Sequence, residues 1–99
     1  MKRIDAIDLL QRSRHRLAAL GVGQLFLYGS VARDQAKADS DVDLLIDPAD
    51  PRFSIFSLAA VQDACADILG VRAEVHDYAG FLRLAEFKRR IGDDLIRVF

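Results

Sequence analysis

The sequence predicts a small α/β domain (α+β in some schemes), with a mixed sheet of three to four strands flanked by helices in the order α-β-α-β-α-β-α. Three observations carry this expectation. Apolar residues recur at helical spacing in two long stretches, one near the N-terminus and one past the middle of the chain. Short apolar or alternating runs, bounded by Gly and Pro, lie between and after them in the manner of strands. The 99 residues, 52% of them apolar, suffice for one core and leave no room for a second, so residues 1–99 are expected to form a single soluble domain.

Ile4, Ile7, Leu10, Leu17 and Leu20 define the first helix over residues 3–20, stopped by Gly21 and Gly23. QLFLY (24–28) is short, apolar and aromatic, a buried strand broken by Gly29. SVARD starts a short helix with Ser30 at a capping position, and QAKADS is a polar loop. DVDLLID (41–47) is the second strand, closed by Pro48 and Pro51. Ile55, Leu58, Ala59, Val61, Ala66 and Leu69 give a helix over 54–69 that ends at Gly70. VRAEVHD (71–77) alternates strictly and reads as a third strand, with Arg72, Glu74 and His76 on one face. GFLRLAEFKRRI (80–91) suggests a last helix ended by Gly92, and LIRVF a terminal strand or a frayed helix.

Composition removes several classes of function. The net charge of −1 argues against a nucleic-acid polymer as direct partner, and the basic runs QRSRHR and KRR read as solvated helix faces. Neither a membrane span nor a secretory signal peptide is legible, so a cytoplasmic protein is expected. The single cysteine, Cys65, forms no intramolecular disulfide or Cys-based zinc site and reads as a packing residue. His76, beside an acid, reads as a structural partner, and His15, among arginines, as solvent-facing.

The chemistry concentrates between residues 28 and 47. Asp41 and Asp43 fall on one face of the second strand, where aspartate is disfavoured and two carboxylates roughly 7 Å apart repel unless a cation lies between them. Mg²⁺ is the economical answer, because it takes hard oxygen ligands and is typically held by one or two carboxylates together with substrate phosphates. Gly29 and Ser30 supply the other half of such a site: a close backbone approach, a hydroxyl, and N–H groups at the start of a helix. Arg33, one turn on, can add a bidentate phosphate contact. Glu74 places a further acid in the middle of the third strand, either joining the site or pairing with Arg72 or His76.

GSVARD, the ten-residue gap after Gly-Ser, and DVDLLID resemble the signature of the polymerase-beta-type nucleotidyltransferase superfamily, in its minimal (MNT) branch. The resemblance runs from about residue 24 to 77, with Asp34 where the family usually carries Gly and Glu74 where it often carries Asp. It implies the nucleotidyltransferase fold, with Asp41, Asp43 and Glu74 as catalytic, metal-binding acids for two Mg²⁺ ions. Gly29, Ser30 and Arg33 would bind the nucleotide, with ATP as substrate. It also implies an antitoxin that transfers AMP to a tyrosine of a cognate HEPN-domain ribonuclease toxin. Two alternatives stand beside this: an antitoxin that neutralises by binding alone, and a small-molecule transferase of the aminoglycoside-modifying kind.

Overall fold

The computed structural model describes residues 1–77 and 94–99. In chain order these form α1 (Arg3–Arg12), α2 (Arg14–Ala19), β1 (Val22–Tyr28), α3 (Gly29–Ala32), β2 (Val42–Pro48), α4 (Ile55–Leu69), β3 (Ala73–Asp77) and β4 (Ile96–Arg97). The four strands make one sheet in the order β3-β2-β1-β4. β1 runs antiparallel to both β2 and β4, whereas β2 and β3 are parallel. A parallel pair needs a long crossover, and α4 provides it. The mixed sheet agrees with the sequence-based expectation, and the ambiguous C-terminal segment is a strand: Phe26 pairs with Arg97 and Leu27 with Ile96. The helix expected over 80–91 lies outside the described residues.

Several boundaries differ from the sequence reading. β1 begins at Val22, so Gly23, expected to stop the helix, lies inside the strand, and β3 begins at Ala73 instead of Val71. The first helix is interrupted at Ser13 (φ −96, ψ 13), whose N–H bonds the Leu10 carbonyl, so α1 and α2 are separate segments. Leu10 and Leu17 are both fully buried on either side of the break, so the apolar periodicity passes straight through it. β2 begins at Val42, which leaves Asp41 just ahead of the strand instead of inside it. α4 is framed as its sequence suggests. Ser54 accepts from the Ser57 N–H while Ser57 accepts from the Ser54 N–H, and Gly70 closes the far end in the left-handed conformation.

One face of the sheet carries the main core. Leu25 and Leu27 of β1, Val42, Leu44 and Ile46 of β2 and Val75 of β3 meet Ala6, Leu10 and Leu17 of α1 and α2 and Val61, Cys65 and Leu69 of α4. Cys65 is fully buried and its thiol is pushed up to about 11 by desolvation, as befits a packing residue. The opposite face has a smaller apolar patch, in which Tyr28 and Leu45 pack with Phe26 and Leu95. Leu45, on the same strand face as Asp43, is thus fully buried, and the acid stands at the border of an apolar floor. Among the described residues, no helix is long and apolar enough to cross a membrane.

Candidate active site

The second face of the sheet brings three chemically active side chains into one row. Tyr28 of β1 pairs with Asp43 of β2, and Asp43 pairs with Glu74 of β3. Directly paired residues on neighbouring strands point to the same side, so a phenol and two carboxylates stand abreast across the sheet. Asp41 joins this group from the loop end of β2 and is half-exposed, with Arg72 Nε 3.9 Å from its Oδ1. Glu74 is exposed, and His76 Nε2 lies 3.3 Å from its Oε1. Both readings of Glu74 are therefore present in the geometry, since it adjoins Asp43 and also pairs with His76.

The electrostatics mark this row as short of positive charge. The Asp43 carboxyl is raised above the ordinary aspartate value, first by desolvation and then by the negative charges of Glu74 and Asp41; His76 and Arg33 pull the other way without cancelling them. Burial, with the negative charges of Asp43 and Glu74, pushes the Tyr28 phenol well above its usual value, so it stays protonated. Among the described residues, no group of three His, Cys, Asp or Glu side chains forms a metal cage by itself. The donor set is nevertheless of the right kind for Mg²⁺: hard carboxylate oxygens whose mutual repulsion a divalent cation would relieve, with coordination left over for phosphates and water.

Gly29 is explained by this arrangement. Its φ is +77, and a Cβ there would collide with the Asp43 Oδ2 while crowding Asp43 Cγ at 3.2 Å. The close approach that the sequence assigns to a ligand is, in the first instance, made by the Asp43 carboxylate. Ser30 lies within α3 and not at its cap, because Tyr28 occupies the N-cap position. The Ser30 carbonyl accepts from the Gln35 N–H at 2.8 Å, and its hydroxyl makes no hydrogen bond among the described residues. Arg33 is already engaged: Nη1 donates to Asp94 Oδ2 at 2.8 Å and Nε to Gln35 Oε1 at 3.2 Å.

Asp34, in the place of the usual family glycine, has φ +59, a left-handed backbone that glycine adopts without strain and aspartate tolerates better than most residues. Its Oδ1 accepts from the backbone N–H of Arg3 at 3.0 Å, tying the end of α3 to the first turn of α1. The carboxylate thus gives back what the backbone conformation costs. Asp34→Ala, which keeps the unfavourable φ and loses the bond, is expected to destabilise the chain by about 1–2 kcal/mol. Asp34→Gly should cost less, and urea denaturation of the two variants checks the order.

Two residues of the site were not identified from the sequence. Tyr28 could have been found, as the last residue of a strand directly before Gly-Ser. Asp94 carries no such signal, because its link to Arg33 spans 61 residues of chain. A cleft of about 470 Å³ opens beside the acids, lined by Asp41 and Glu74 together with Gln62, Asp63 and Arg72.

Comparison with known proteins identifies the family. The chain matches the family described as nucleotidyltransferase domain over residues 9–97. A Methanocaldococcus jannaschii protein provisionally named protein adenylyltransferase MJ1217 is 30% identical over 100 residues, covering 99% of this chain and 100% of that protein. A solved structure provisionally described as a minimal nucleotidyltransferase shares 30% identity at a TM-score of 0.65, over 92% of this chain and 93% of the other. A crystal structure of a toxin-antitoxin with AMP-PNP superposes at a TM-score of 0.64 over 90% of this chain and 72% of that one; at 15% identity the likeness is one of fold.

Proposed function

Because the chain belongs to the nucleotidyltransferase domain family, in its minimal form, we propose that it is a cytoplasmic antitoxin that transfers AMP from ATP to a tyrosine of a cognate HEPN ribonuclease toxin. The observation that carries the reading is the row of Asp43 and Glu74 with Gly29 packed against Asp43, which puts the Gly-Ser turn and the acids within one site. The name of the M. jannaschii relative supports a protein as acceptor, and the fold neighbour solved with AMP-PNP supports an adenine nucleotide and a toxin partner.

In this mechanism Asp41, Asp43 and Glu74 would hold Mg²⁺, which when bound supplies positive charge to the reacting phosphate and lowers the pKa of the acceptor hydroxyl. Ser30 offers its hydroxyl, with the first-turn N–H groups of α3, to the phosphate tail. Arg33 presents guanidinium N–H groups to the same oxygens. Glu74, the most exposed acid of the row, accepts the proton of the attacking hydroxyl. The acceptor oxygen forms a bond to the α-phosphorus as the bond to pyrophosphate breaks, and the proton passes from Glu74 to solvent. Tyr28 remains protonated and flanks Asp43 without taking up charge.

The test is the intact mass of the protein encoded beside this chain, after incubation with the chain, Mg²⁺ and each ribonucleoside triphosphate. A gain of one or more AMP units, absent with the Asp41→Ala, Asp43→Ala double variant, is the expected outcome. A stable complex without mass gain, and toxin neutralisation that survives the double variant, would replace the reading with an antitoxin that acts by binding alone.

A further inference from the structure

The pair between Arg33 and Asp94 joins two elements that the site otherwise leaves separate. Arg33 is the C-cap of α3, one helical turn after Gly29. Asp94 lies just before β4, whose pairing with β1 matches Leu27 to Ile96. Continuing that antiparallel register beyond the paired residues sets Asp94 across from Gly29. The sheet therefore delivers a carboxylate to the Gly-Ser turn from the far end of the chain. The buried Val98, whose N–H bonds the Leu25 carbonyl at 2.8 Å, anchors the strand that carries it.

The guanidinium is held at two of its five N–H groups. Nη1 donates one hydrogen to Asp94 Oδ2 and Nε donates its hydrogen to Gln35 Oε1, which fixes the plane of the fork. The remaining N–H groups, both hydrogens of Nη2 and the second of Nη1, have no partner among the described residues. Arg33 is close enough to the acid row for its charge to act on Asp43. A long side chain that would otherwise lose rotamer freedom on meeting an anion is thus ordered beforehand.

We propose that Asp94 is a positioning residue: it holds the Arg33 guanidinium, with Gln35, so that the N–H groups without a partner among the described residues meet the phosphates of the nucleotide. This rests on the nucleotidyltransferase reading and extends it to a residue outside the family signature. The opposite effect, in which Asp94 sequesters Arg33 from the nucleotide, predicts the reverse sign.

A double-mutant cycle on the full chain separates these outcomes. Binding of ATP in the presence of Mg²⁺ is measured for the wild type, Asp94→Ala, Arg33→Ala and the double variant, with a thermal melt of each to establish that it is folded. Asp94→Ala is expected to weaken binding about 3- to 10-fold, the scale of ordering one long side chain on association. In the Arg33→Ala background the same substitution should change nothing, because there is no guanidinium left to orient. Asp94→Asn, which keeps a carbonyl acceptor of the same size, should recover part of the affinity. Tighter binding by Asp94→Ala, or an equal loss in both backgrounds, overturns the positioning role while leaving the nucleotidyltransferase reading intact. A wild-type chain that binds no ATP overturns both.

Discussion

Asp43→Asn is expected to lower nucleotidyl transfer by about a thousandfold or more and, at the same time, to raise the thermal stability of the nucleotide-free chain. In the proposed mechanism the loss follows from removing the central carboxylate of the row that would hold Mg²⁺ against the reacting phosphate, where single electrostatic groups are commonly worth that much. The gain in stability follows from the same row. Asp43 is held above the ordinary aspartate value by desolvation and by Glu74 and Asp41, so its charged form is disfavoured in the folded state. Between the unfolded and the folded value the native chain binds more protons than the unfolded one, and stability falls as pH rises through that window. Above it the penalty is complete and present at neutral pH. The Asn variant carries no such penalty, so its melting temperature should exceed that of the wild type by a few degrees at pH 7, and the difference should shrink below the ordinary aspartate range. Thermal melts of both proteins from pH 3 to 7, without Mg²⁺, measure it. A variant that melts lower at pH 7 would show that Asp43 is stabilising and that the repulsion has been misjudged.

Gly29→Ala should damage fold and activity together. The substitution forces an alanine into φ +77, a cost of about 1–2 kcal/mol, and drives its Cβ into the Asp43 carboxylate. Relief requires that Asp43 turn away or that the β1 to α3 turn shift, and either movement separates the Gly-Ser turn from the acids. A total loss of about 2–4 kcal/mol by urea denaturation is expected, the upper part of it from the clash. Transfer activity should fall as far as in the Asp43 variant. The Gly29→Ala, Asp43→Ala combination identifies the origin of the damage: removing the struck carboxylate should relieve most of the clash and leave the backbone cost with a tight contact to the residue 43 Cβ at 3.3 Å. Equal destabilisation with and without Asp43 would place the whole effect in the backbone.

The parts of this architecture that depend on neighbouring residues were legible in the sequence, and those that depend on distant ones were not. Asp43 stood out because an acid interrupts a run of β-formers, and Gly29 because it ends an aromatic strand. Gly70 and Ser54 framed α4 by local rules of capping. The break at Ser13 stayed hidden, since a serine in helical surroundings signals nothing and the buried leucines keep their spacing across it. Ser30 looks like a cap because the sequence cannot show that the N-cap falls two residues earlier, on Tyr28, and that α3 starts on Gly29. Asp34 had a visible oddity but an invisible cause, because its partner Arg3 lies 31 residues away. The sequence shows Arg33 one turn after Gly-Ser as a phosphate contact, and only the return of the chain towards β4 reveals Asp94 beside it.

The pairing of β2 with its neighbours has a consequence for the accuracy of the chemistry. A slip of β2 by one residue would turn Val42, Leu44 and Ile46 outward and push Asp43 among the leucines of α1 and α2. The oily side of the sheet forbids that slip far more strongly than any contact among the acids could. Alignment of the carboxylates is therefore enforced from behind, by residues that never meet a substrate. Such a scaffold can exchange acids on its working side, Glu for Asp at position 74 included, and still hold each replacement in the same row.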